Sequence, residues 1–207
     1  MKAAVRTLLK AVGEDVEREG LIDTPKRVVK ALIDASSGYH QTPASVLGDA
    51  LFNEPIVRDA GPSIVCVRDI EFASTSSDTL LPFHGRCHIG YVPSNGVVLG
   101  LSKFSRLTKM LAKRLQTQSQ LGAQIAASLQ HHLGCHGVAV VIEAKHLCMG
   151  AAALPGQQTT VSVCGCFAEP CTSHLEELLA MLGLEAAAAS THSLTKEELH
   201  ASVEAAM

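Results

Sequence analysis

The sequence predicts an α+β fold, and three observations carry that prediction. Segments of strand character, Ser63 to Phe72, Arg86 to Val92, Gly137 to Ala144 and Thr159 to Phe167, form a meander. A long segment of helical periodicity, Ser102 to about Leu133, interrupts the meander. Helical patterns also occupy both ends of the chain. At 207 residues the chain is long enough to bury one sizeable core.

The elements follow in order. Residues 2–12 read as a short helix. Thr24-Pro25 opens a second, with Thr at the N-cap, Pro at the first helical position, and a stripe of Val28, Val29, Ala31, Leu32 and Ile33. Residues 35–62 mix Gly, Pro, Ser and Asp and read as loops with a short helical turn. In the first strand, alternation places Ile64, Cys66, Arg68, Ile70 and Phe72 on one side. Pro93 ends the second strand, Ser94-Asn95-Gly96 marks a turn, and Val97 to Leu99 follow. Ser102 caps the long helical region, which a break near Gln116 to Gln118 divides. Beyond Pro170 the chain is mostly helical. Ala186 to Ala189 reads as a hinge, and Thr195-Lys196-Glu197-Glu198 is a capping box that opens the last helix.

Composition excludes several functions. Hydrophobic residues make up 47% and charged residues 18%, a globular balance. The net charge of −3 and the absence of a basic run argue against a nucleic-acid partner. Aromatics are 3% and Trp is absent, which leaves few platforms for stacked bases. No apolar run reaches the length of a membrane span, and the amphipathic start lacks the features of a secretory signal. Seven cysteines, an odd number without scaffold spacing, suit a reducing, cytoplasmic setting.

Three motifs, in order, resemble GTP cyclohydrolase I. The first runs from Gly13-Glu14-Asp15 through Arg18-Glu19-Gly20-Leu21 to Asp23-Thr24-Pro25-Lys26-Arg27-Val28. The second is His88-Ile89-Gly90-Tyr91-Val92-Pro93 with Leu99-Gly100-Leu101-Ser102-Lys103. The third is Gly137 to Ala144 followed by His146-Leu147-Cys148-Met149. The resemblance spans about residues 13–183. It implies a tunnelling fold (T-fold): an antiparallel sheet with long helices packed on one side. It further implies a decamer of two face-to-face pentamers with active sites at subunit interfaces. The expected organisation is an N-terminal helical segment (1–50), a T-fold domain (51–183) and a helical tail (184–207).

The chain departs from the family where the chemistry lies. In the family, Cys-Glu-His-His precedes Leu-Leu-Pro-Phe and supplies two zinc ligands and a catalytic histidine. The matching residues are Ser76, Ser77, Asp78 and Thr79. The third ligand position is Cys148, which is retained. Hydroxyls are poor zinc ligands beside thiolate and imidazole. No cofactor is therefore expected, with zinc the one metal left open. The family's metal-activated water, and with it GTP ring opening, is not expected.

The substrate positions are divided. Gln118-Ser119-Gln120-Leu121 matches the family's Gln-Glu-Arg-Leu, so Ser119 replaces the carboxylate that grips the purine. Ala152 stands at a triphosphate-binding arginine. Arg27, Lys103 and Arg106 match retained phosphate-site cations, with solvated surface charge as the plainer reading. His146 matches a proton-transfer histidine, and Asp78 replaces the other catalytic histidine. Cys148, if freed of metal, is either a nucleophile or an inert relic. These residues suggest a T-fold enzyme repurposed for zinc-independent acid–base or covalent chemistry on a small anion other than GTP, in specialised biosynthesis. Two alternatives stand beside it: a non-catalytic binding or regulatory homologue, and a GTP cyclohydrolase I with an atypical metal site.

Overall fold

The computed structural model describes residues 1–59, 61, 63–148, 157–169, 173–184 and 190–206. The chain opens with α1 (Lys2–Ala11), α2 (Thr24–Ala35), a short turn of tighter helix (Ser37–His40), α3 (Pro43–Leu47), β1 (Leu51–Asn53) and α4 (Pro55–Asp59). Two long strands follow, β2 (Val65–Thr75) and β3 (Pro82–Val92), then β4 (Val97–Leu99). Helices α5 (Leu101–Ala112) and α6 (Gln118–Leu133) come next. The chain then runs through β5 (Gly137–His146), β6 (Gln158–Gly165), α7 (His174–Leu182), β7 (Ser190–Ser193) and α8 (Lys196–Ala206). The α+β architecture is that of the T-fold.

The main sheet has the order β2-β3-β5-β6-β7. Its first four strands are antiparallel, and β7 joins β6 in parallel. Side chains alternate across a strand, so β5 serves two cores at once. Val138, Val140 and Ile142 pack with Leu107, Leu121 and Ile125 of α5 and α6. Ala139 and Val141 face Val161, Leu178 and Leu179 on the side covered by α7. A strand buried on both faces has no polar side, which explains the unbroken apolar run from Gly137.

Strand β2 differs from the expected alternation. Ile64 and Cys66 pack against one core, whereas Ile70 and Phe72 lie in the other. The reason is a bulge between Val67 and Ile70, where Asp69 takes a left-handed φ of 59°. An extra residue inverts the side on which every later side chain falls. His88 holds the bulge: its Nδ1 accepts from the Asp69 N–H at 3.1 Å, and its Nε2 lies 3.3 Å from Glu143 Oε2.

Two helix starts also shift. Asp23 rather than Thr24 precedes α2, and Gly100 rather than Ser102 precedes α5. The break before Gln118 is real, because Thr117 and Gln120 form a reciprocal capping box that starts α6 afresh. Thr195 and Glu198 do the same for α8. The Ala186 to Ala189 hinge lies outside the described residues. Among the described residues no helix is long and apolar enough to cross a membrane.

Candidate functional site

The end of β5 meets the start of β3. Phe83 and His146 are register partners, and their rings stack with centroids 4.7 Å apart and 6° between planes. The Leu147 N–H donates to Pro82 O at 3.1 Å. Ser76, Ser77, Asp78 and Thr79 lie in the turn joining β2 to β3, so they share this end of the sheet with His146 and Cys148.

His146 is oriented by Gln118. The Gln118 amide nitrogen donates to Ile142 O at 2.8 Å, Gln158 O at 3.0 Å and Thr160 Oγ1 at 3.1 Å. Two backbone carbonyls cannot be donors, so the amide cannot flip. Its oxygen therefore faces His146 Nε2 at 2.9 Å. An amide oxygen only accepts, so Nε2 carries the proton and Nδ1 holds the lone pair of the neutral ring. Burial holds the His146 pKa below its ordinary value, which favours that neutral form. The Gln118 side chain is fully engaged by the protein, which fits positioning better than substrate contact.

The Asp78 carboxylate accepts from the Ser77 hydroxyl at 2.9 Å and is exposed. Among the described residues, no hydrogen bond joins Asp78, His146 and Cys148. The hydroxyls at the positions matched to the family's zinc ligands serve the turn. Ser76 Oγ accepts from the Asp78 N–H at 3.2 Å, and Thr79 Oγ1 from the Leu81 N–H at 3.3 Å. Cys148 is half-buried. Among the described residues, no three His, Cys, Asp or Glu side chains gather as a metal would require. This donor set, one cysteine sulfur beside two committed hydroxyls, does not fit a tetrahedral zinc within one chain.

The cations lie elsewhere. Lys103 and Arg106 line a recess of about 430 Å³ together with Lys109 and Lys113. The last two carry no motif in the sequence, although a spacing of three places Lys103, Arg106 and Lys109 on one face of α5, with Lys113 as its C-cap. Lys103 Nζ donates to Val46 O at 2.9 Å, and His132, in the last turn of α6, donates to Gly48 O at 3.0 Å. The Lys103 end of the recess thus adjoins the C-terminal end of α6, while its Lys113 end lies toward the turn that leads into Gln118. Arg27 is exposed, pairs with Asp23 at 3.7 Å and does not line the recess. Ser119 lines a separate cleft of about 440 Å³ with Thr160, Ser162, Thr191, His192 and Glu198. Ala152 lies outside the described residues.

Comparison with known proteins adds to this geometry. A family model described as GTP cyclohydrolase I matches residues 1–182. GTP cyclohydrolase 1 of Dictyostelium discoideum is 48% identical over 170 residues, covering 81% of this chain and 71% of that protein. GTP cyclohydrolase 1 of Methylococcus capsulatus is 44% identical over 181 residues, covering 86% and 95%. GTP cyclohydrolase 1 of Campylobacter lari is 46% identical over 159 residues, covering 77% and 80%.

Two expectations are corrected by these findings. The repurposing of the scaffold for an anion other than GTP is overturned, because relatives at this level of identity share one name, that of the GTP enzyme. The expectation of no cofactor is overturned as well, because a family match along 182 residues points to the zinc on which that family depends.

Proposed function

Because the chain belongs to the GTP cyclohydrolase I family, we propose that it is a hydrolase of the cyclohydrolase type acting on GTP, with a metal site that departs from the family pattern. The observation that carries this reading is the family match across residues 1–182. The geometry around His146 supports it. A neutral imidazole with Nε2–H held by Gln118 keeps Nδ1 available to take or return a proton. The four cations along α5 suit a triphosphate, which charge-assisted hydrogen bonds would hold. Of the positions matched to the family's zinc ligands, Cys148 is the one that keeps a ligating residue type.

The family implies a homo-oligomer of stacked pentamers with sites at subunit interfaces, so a neighbouring copy could complete the site at the His146 end.

One observation favours a second reading, a non-catalytic homologue that binds a ligand or a partner enzyme. The Ser76 and Thr79 hydroxyls are already used within their turn. A single experiment separates the two. The folded protein is supplied with zinc and GTP, and formate release and zinc content are measured. Formate release that disappears in His146→Asn supports the enzyme. Calorimetric binding of GTP without formate moves the assignment to the second reading.

A further inference from the structure

The bulge in β2 hangs on one imidazole. Asp69 sits at a left-handed φ of 59°, which a residue with a side chain keeps only when its surroundings hold it. Its N–H donates to His88 Nδ1 at 3.1 Å, and its carboxylate pairs with Arg86 at 3.3 Å and Arg68 at 3.8 Å. An accepting Nδ1 carries no proton. The neutral ring therefore bears its hydrogen on Nε2 and donates it to Glu143 Oε2 at 3.3 Å. Both contacts require the same tautomer, of a ring that is 5% exposed.

A second proton can enter this ring only at Nδ1. There it turns the acceptor into a donor facing the Asp69 N–H, and that contact must break. An imidazole gains such a proton in mildly acid solution. Glu143 favours the change, because the carboxylate then faces a cation. Arg68 and Arg86, gathered at Asp69, oppose it. Lys145, two residues further along β5, is exposed. Helix α7 meets this corner with Leu178, packed on Gly90, and with the Met181 carbonyl, which accepts from Arg68. Its Glu176 and Glu177 are exposed and form no ion pair here among the described residues.

The bulge acts beyond its own corner. Past it, β2 turns Ile70 and Phe72 into the main core. Phe72 meets Phe83 edge to face, with centroids 5.9 Å apart and 76° between planes. Phe83 in turn stacks on His146. We propose that His88 is a proton-operated clasp that positions the His146 ring. Neutral, it pins the bulge and so the face on which Phe72 meets Phe83. Protonated, it releases the Asp69 amide and loosens β2 behind the stacked rings.

The test uses no GTP, so its outcome is independent of the enzyme reading. Exchange of the Asp69 amide is followed from pH 8 to pH 5 as a protection factor, with Val140 of β5 as the control for global unfolding. Deuteration of the His88 ring carbon reports ring protonation in the same samples. Protection at Asp69 should fall by about tenfold as the ring takes its proton, while Val140 stays protected. The amides of 70–75 that pair with β3 should loosen with it. His88→Asn offers an amide oxygen in place of Nδ1 and does not titrate, so protection should persist across the range. Glu143→Gln removes the favouring charge, so release should move to lower pH. Asp69 protection that holds while the ring is protonated overturns the proposal. So does a ring still neutral at pH 5, the same fall in His88→Asn, or an equal loss at Val140. The titration of the unaltered chain decides the matter should a variant not fold. A fall at Asp69 that leaves 70–75 unchanged sinks the link to His146.

Discussion

Gln118 sets the tautomer of His146. Its amide nitrogen is committed to Ile142 O and Gln158 O, which leaves its oxygen for Nε2 at 2.9 Å. A helix start, two strands and a candidate catalytic ring are locked together by one side chain. Replacing it separates positioning from packing. Gln118→Ala should cost about 1–3 kcal/mol of stability, because buried carbonyls lose their donor. Gln118→Glu should keep the volume and place a negative charge beside the ring, raising the His146 pKa. Urea unfolding measures the first effect and an NMR titration of the imidazole the second. An unmoved titration in Gln118→Glu would show that the contact does not govern the ring.

The same ring makes stability depend on pH. Burial depresses the folded pKa of His146 below its ordinary value of 6.5. As pH falls, the unfolded chain takes up this proton first. The contribution is therefore complete above the ordinary value and is lost as pH falls through the depressed one. The urea midpoint should drop between pH 7 and pH 5, and His146→Gln should flatten that slope. An equal slope in the variant would remove His146 from the account.

The zinc question has a constructive test. Ser76 and Thr79 share the turn at the end of the sheet where Cys148 emerges. Ser76→Cys with Thr79→His restores two soft ligands beside the retained thiol. Zinc affinity should rise by at least about a hundredfold, read by competition with a coloured chelator. If affinity does not change, these three positions do not converge on one ion.

Close packing makes two glycines of β3 unequal. A Cβ on Gly85 would lie 1.9 Å from Glu143 O, a backbone atom that cannot withdraw without breaking the ladder. A Cβ on Gly90 would meet the Leu178 methyl groups at 2.7 Å, the far end of a movable side chain. Gly85→Ala should sit at or above the top of the about 1–3 kcal/mol typical of overpacking, and Gly90→Ala near its bottom. Denaturation midpoints of the two variants provide the comparison.

Much of this molecule was legible before folding. The apolar run from Gly137, the break near Gln116 to Gln118, the capping box at Thr195, and the three family motifs follow from local periodicity and side-chain chemistry, and they locate strands, helix starts and family. At the site, the substitutions at Ser76, Ser77, Asp78, Thr79, Ser119 and Ala152 suggest a changed reaction, whereas the match along the whole chain points to the family's own. Other features depend on contacts distant in sequence. The bulge at Asp69 inverts the faces of β2 because His88, nineteen residues on, offers an acceptor to its amide. Lys109 and Lys113 join Lys103 and Arg106 only once α5 presents one face to a recess. The seating of β7 on β6 arises from how strands stack in space. A linear pattern tells which residues can share a face. Which faces then meet is settled by the closing of the sheet, and that is a property of the packed whole.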